Sequence, residues 1–120
     1  MANIYLTGEV GWDITVSSVL ESLEALKDEI DITLYIHSPG GSVYEGNAIY
    51  DLLMNSGKRI STVGLFVGSI ATKLFLIPPI ERRNLTELAN FYIHNPSGGA
   101  FGEADEIIQQ GEEVKKIENE

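Results

Sequence analysis

Two glycines, a serine and a histidine are the residues of this chain best suited to do chemistry together. Gly40 and Gly41 lie in "YIHSPGGSVYEG" (Tyr35–Gly46), where an apolar run stops at a proline and a helix begins. Without Cβ atoms their backbone can take positive φ and let a ligand approach closely. N–H groups just ahead of a helix suit an anion or a developing oxyanion. A tight strand-to-helix turn explains the same residues. Ser69 follows a strand-like run and a glycine, at a helix start. That is the place of a helix cap and equally of a nucleophile held on a sharp turn. His94 ends a later apolar run. It reads as a structural histidine or as a general base with an unperturbed pKa near 6.5. His37 competes for that role, because it also ends a strand and adjoins Ser38. Lys73 falls one helical turn after Ser69, so a serine–lysine dyad is conceivable. A lysine snorkelling from a buried helix is the plainer reading.

The elements that must position these residues alternate along the chain. Asn3–Thr7 reads as a strand. Val16, Val19, Leu20, Leu23 and Leu26 recur at helical spacing and predict a helix over Ile14–Asp28. Ile32–Ile36 is a β-branched, apolar strand. Ser42 followed by Glu45 has the capping-box pattern, and Gly57 stands where helices end. Ile60–Gly64 predicts a third strand, Ser69–Ile77 a buried helix stopped by prolines, and Phe91–His94 a fourth strand. "NPSGG" (Asn95–Gly99) reads as a turn, and Gly102–Glu118 as a last helix with Ala104, Ile107, Ile108, Val114 and Ile117 as its stripe. Such alternation means a largely parallel α/β sheet, whose ligands lie beyond the carboxyl ends of the strands. His37–Gly41, Leu65–Ser69 and His94–Gly99 all emerge there.

Composition narrows the functions. The 120 residues fit one domain, residues 1–120. A net charge of −10 leaves no basic stripe for nucleic acid and disfavours an anionic membrane surface. With no cysteine there are neither disulfides nor thiolate metal sites. No HExxH, acidic calcium loop or GxGxxG is present, so neither a metal nor an organic cofactor is expected. The apolar run Val63–Ile80 holds Lys73 near its middle and is cut by Pro78–Pro79, which argues against a membrane span. The N-terminus lacks a signal-peptide pattern.

Several stretches together resemble a known family. "ITLYIHSPGGSVYEGNAIYDLL" is similar to the strand–SPGG–helix segment of the Clp protease proteolytic subunit, ClpP. With "IYLTGEVGWDIT" it resembles above all the ClpP-like head-maturation proteases of phages and prophages. "GSIATKLFL" is similar to the nucleophile segment, and "FYIHNPSGGAFGEADE" to the histidine strand, loop and following helix.

The resemblance implies the ClpP/crotonase-type spiral of β-β-α units, truncated at its C-terminus. Residues 101–120 would be the "handle" helix through which homo-oligomeric rings assemble. It implies Ser69 as nucleophile and His94 as base, with Gly41 and Ile70 as oxyanion donors and Gly40 shaping the turn. Gly98 and Gly99 would border the peptide groove. The family's triad aspartate lies beyond the handle, and Asp105 is not at its place. The implied activity is a cytoplasmic serine endopeptidase acting on peptides or proteins. An ATP-dependent unfoldase or phage capsid proteins would be its partners. Two alternatives stand beside it: a catalytically incomplete fragment or paralogue acting in assembly, and a crotonase-like acyl-CoA enzyme.

Overall fold

A computed structural model describes residues 2–95 and 98–103, with side chains described as far as Phe91. Five strands form one sheet in the order β1-β2-β3-β4-β5. They are β1 (Ala2–Val10), β2 (Asp31–Gly41), β3 (Arg59–Gly68), β4 (Arg83–Asn95) and β5 (Gly98–Glu103). The first four are mutually parallel, and β5 returns antiparallel to β4. Helices α1 (Val16–Ala25), α2 (Val43–Met54) and α3 (Ala71–Phe75) lie in the crossovers, and a 3-10 turn at Ile80–Arg82 precedes β4.

A sheet whose parallel strands advance in one direction through right-handed crossovers carries its helices on a single face. Burial shows this: Ile32, Leu34 and Ile36 of β2 are buried, while the intervening Thr33, Tyr35 and His37 are not. The covered face packs Ile4, Leu6, Leu34, Ile36 and Val67 with Val19, Ile49, Leu53 and Leu74 in one core. Each such fully buried side chain contributes roughly 1.5–3 kcal/mol. Tyr5 and Tyr35 stack on the other face, centroids 5.1 Å apart.

Local chemistry fixes the helix ends. Thr15 and Ser18 form a reciprocal capping box on α1. Ser42 caps α2 by accepting the Glu45 N–H at 3.2 Å. The Glu45 carboxylate does not turn back on Ser42, as the capping-box pattern predicts. It accepts the N–H of Val16 at 2.9 Å and ties α2 to the start of α1. Lys58 Nζ donates to the carbonyls of Leu26, Lys27 and Glu29, closing the far end of α1.

Strand ends differ from the sequence reading where the chain is irregular. β1 continues to Val10 through Gly8 at φ +104°, with a register shift between Thr7 and Glu9. β4 begins at Arg83, eight residues before the expected strand start at Phe91. Its polar first half pairs with Thr62–Gly64, and extra residues loop out before Asn90 meets Phe66. Beyond the chain's second histidine, Gly98–Glu103 is a strand. This corrects the turn reading at Gly98 and Gly99 and the handle-helix start at 101–103. The rest of the expected handle, with Asp105, lies outside the described residues.

Candidate active site

The carboxyl edge of the sheet is built from two interlocked turns. One joins β2 to α2 and carries Gly40 at φ +103° and Gly41 at φ +143°. The other joins β3 to α3 and carries Ser69 at φ +51°, a positive φ on a residue other than glycine. A Cβ on Gly40 would lie 2.6 Å from Ser69 Cβ, 2.8 Å from the Gly68 carbonyl oxygen and 3.3 Å from Ile70 N. One on Gly68 would lie 2.8 Å from the Pro39 carbonyl oxygen. Each turn therefore needs glycine in order to accept the other. Gly46, in the first turns of α2, completes the fit: a Cβ there would strike Ile70 Cγ1.

A third segment braces the glycine turn. Ser42 N donates to the Val10 carbonyl at 2.8 Å. Gly11 lies against Ser42, and a Cβ on Gly41 would run into the Val10 carbonyl oxygen. The buried Ser38 Oγ accepts the Gly40 N–H at 3.1 Å. The β1–α1 corner is itself closed by the Asp13 carboxylate, which accepts the Glu9 N–H at 2.8 Å.

Ser69 is not a helix cap. Ile70 occupies the N-cap position of α3, and no side chain caps that helix. Ser69 is half-buried, and its Oγ makes no hydrogen bond among the described residues. No carbonyl among the described residues takes the Ile70 N–H either. Along β4, Tyr92 is the register partner of Gly68, so His94 stands two residues beyond it at the same edge as Ser69. Gly99 pairs with His94 and Gly98 with Asn95 in the antiparallel ladder. The structure thus places the backbones of Ser69, His94, Gly40, Gly41, Ile70, Gly98 and Gly99 at one edge.

The two competing bases are elsewhere engaged. His37 lies on the uncovered sheet face, edge-on to Phe66 at 6.5 Å, and lines a shallow hollow with Tyr5, Thr7, Tyr35 and Leu65. Lys73 is one turn from Ser69, but its ammonium donates to Asn47 Oδ1 at 2.9 Å and sits 4.6 Å from the Tyr50 ring centroid. The sequence could not show these partners, because both come from α2. Among the described residues no group of three His, Cys, Asp or Glu is placed to hold a metal ion. No helix among them is long and apolar enough to cross a membrane.

An α/β sheet with a strained serine elbow beside a double-glycine turn defines a class: the ClpP-type fold. Comparison makes the assignment specific. The Clp protease family model matches residues 1–120, and this chain belongs to that family. It is 33% identical to the ATP-dependent Clp protease proteolytic subunit 3 of Rhizobium johnstonii, covering 96% of this chain and 60% of that protein. Against the ATP-dependent Clp protease proteolytic subunit of Bacteroides fragilis it is 33% identical, over 88% of this chain and 52% of the relative. The chain therefore spans about 60% or less of the length of these relatives. Among solved structures, ClpP1 of Listeria monocytogenes (an N165D mutant) superposes with a TM-score of 0.72 at 27% identity, over 96% of this chain and 68% of that one. The ClpP protease catalytic domain of Plasmodium falciparum gives 0.69 at 31% identity, over 80% and 54%. These matches favour the Clp side of the fold over an acyl-CoA enzyme.

Proposed function

We propose that this chain is a serine-type endopeptidase of the ClpP class. Ser69 Oγ attacks the carbonyl carbon of a peptide bond, and His94 takes its proton. The negative charge that develops on the carbonyl oxygen is met by the N–H groups of Gly41 and Ile70. The intermediate collapses as His94 returns the proton to the leaving amine, giving an acyl-enzyme that water then hydrolyses by the same route. Gly98 and Gly99, opposite Asn95 and His94 in the ladder of β4 with β5, border the bound peptide. No cofactor takes part.

The observation that carries this reading is Ser69 at φ +51° without a capping role. Strained conformations of this kind persist where surrounding structure over-determines them, and they cluster at functional sites. The membership of the chain in the Clp protease family supports the same chemistry. The protein would act in the cytoplasm as a ring-forming homo-oligomer built through the handle. An ATP-dependent unfoldase or, in a phage setting, capsid proteins would be its partners. The triad's third member would orient the His94 imidazole.

A fluorophosphonate probe tests the hydrolase. Wild type is expected to be labelled, with labelling lost in Ser69→Ala and strongly reduced in His94→Ala. No labelling of assembled wild type, with assembly verified by native mass measurement, would sink the hydrolase and favour the assembly-only reading.

A further inference from the structure

A carboxylate three residues beyond a serine N-cap ordinarily turns back on the N–H of the cap itself. At the start of α2 that N–H is already taken, because Ser42 N donates to the Val10 carbonyl at 2.8 Å. Glu45 is thereby released, and its Oε2 accepts the N–H of Val16 at 2.9 Å, 29 residues away in the chain. Two hydrogen bonds thus cross between residues 10–16 and 42–45. Val16 is the first residue of α1, and Thr15 caps that helix through Ser18 N. The Glu45 carboxylate therefore meets a second orphan donor of the same helix start, where negative charge is also favoured.

What this tie holds is the turn on which the proposed oxyanion site depends. Gly41 is the register partner of Val10, and it is exposed. The N-cap of α2, Ser42, follows it directly. Gly46 is buried against Ile70, where a Cβ would strike Ile70 Cγ1. The start of α2 therefore adjoins both residues whose amides the proposed chemistry uses, Gly41 by sequence and Ile70 by packing. Glu45 stands between Ser42 and Gly46 and fastens this start to α1 from the side away from Ile70. Oxyanion donors act only when held in place beforehand, and a misplacement of about 1 Å can cost on the order of a hundredfold in rate.

We propose that Glu45 is a positioning residue for the oxyanion site. Its hydrogen bond to the Val16 N–H holds the start of α2, and with it the Gly41 and Ile70 amides, in the arrangement that receives the developing charge. This rests on the peptidase reading, and hydrogen exchange tests it apart from that chemistry. Glu45→Ala removes the acceptor. Glu45→Gln keeps a carbonyl oxygen that can take the same N–H. Val16→Pro removes the donor instead, at the first helical position, where proline is well tolerated. Thr15 before it is already extended, at φ −129° and ψ 162°, as a residue preceding proline must be. Lys58→Met unties the far end of α1 and controls for general loosening.

The rate of fluorophosphonate labelling at Ser69 should fall about tenfold or more in Glu45→Ala and in Val16→Pro. The double variant should lose no more than either single one, because both remove the same bond. Glu45→Gln and Lys58→Met should stay within about threefold of wild type. The backbone amides of residues 40–43 should exchange about tenfold faster in Glu45→Ala and Val16→Pro, and not in the other two. Labelling at the wild-type rate in Glu45→Ala or Val16→Pro overturns the proposal, as does unchanged exchange. Equal slowing in Glu45→Gln or Lys58→Met also overturns it, since the cause would then be charge or overall stability. If wild type is not labelled, faster exchange confined to Glu45→Ala and Val16→Pro leaves the brace standing and sinks the hydrolase reading alone. A labelled wild type whose Glu45→Ala variant is labelled equally fast loses only this inference.

Discussion

The two strand-to-helix turns at the carboxyl edge solve the same geometric problem differently. Between β2 and α2 the positive φ angles fall on Gly40 and Gly41, where they carry little steric cost, and Ser42 caps the helix that follows. Between β3 and α3 the positive φ falls on Ser69, and the helix starts uncapped. A residue with a Cβ pays about 1–2 kcal/mol for that conformation. The first turn is what folding alone would select. The second places a hydroxyl at a position where glycine would fold more easily, a strain that the proposed nucleophile role of Ser69 would account for.

The interlock between the turns gives the largest expected effect. Gly40→Ala adds a Cβ 2.6 Å from Ser69 Cβ at a backbone of φ +103°. Both clash and backbone strain act, so unfolding in urea should show a loss of about 3 kcal/mol or more. A loss under about 1 kcal/mol would mean that the turns move independently. Ser69→Gly should act in the opposite sense. It relieves the strained φ and should be more stable than Ser69→Ala by about 1 kcal/mol. Both variants should lose fluorophosphonate labelling, so that stability and activity part company at one residue. If Ser69→Gly is the less stable of the two, the elbow stores no strain and the contrast between the turns collapses.

Much of this arrangement is legible in the sequence, and the failures have physical causes. Strand–helix alternation locates β1 to β3 and the three helices, because apolar periodicity reflects which side of each element is covered. The glycines and Ser69 are legible because each sits where a strand must turn sharply into a helix. The first half of β4, "RNLTELAN", is not legible. It is polar and lacks alternation, and it is a strand only because β3 offers it a ladder. Gly98–Glu103 is too glycine-rich to announce itself as a strand and is defined by pairing with β4. Glu45 matches a capping box, yet an unpaired N–H on another helix competes successfully for its carboxylate. Likewise Lys73 has helical spacing to Ser69, while its partners Asn47 and Tyr50 come from α2 and could not be read locally.

Gly57, past the end of α2, supplies the smallest effect and the control for the contrast. Its φ is +76°, and a Cβ there would meet nothing within 4 Å. Gly57→Ala should therefore cost only the backbone strain, about 1 kcal/mol. Gly57→Asn should recover part of that, since asparagine tolerates the left-handed region. Subtracting the Gly57→Ala loss from the Gly40→Ala loss gives the contacts with the Gly68–Ile70 elbow as a whole, expected at about 2 kcal/mol by the usual cost of overpacking. Equal losses at the two positions would mean that Gly40 is present for its own φ alone, and that nothing in the glycine turn holds the serine elbow in place.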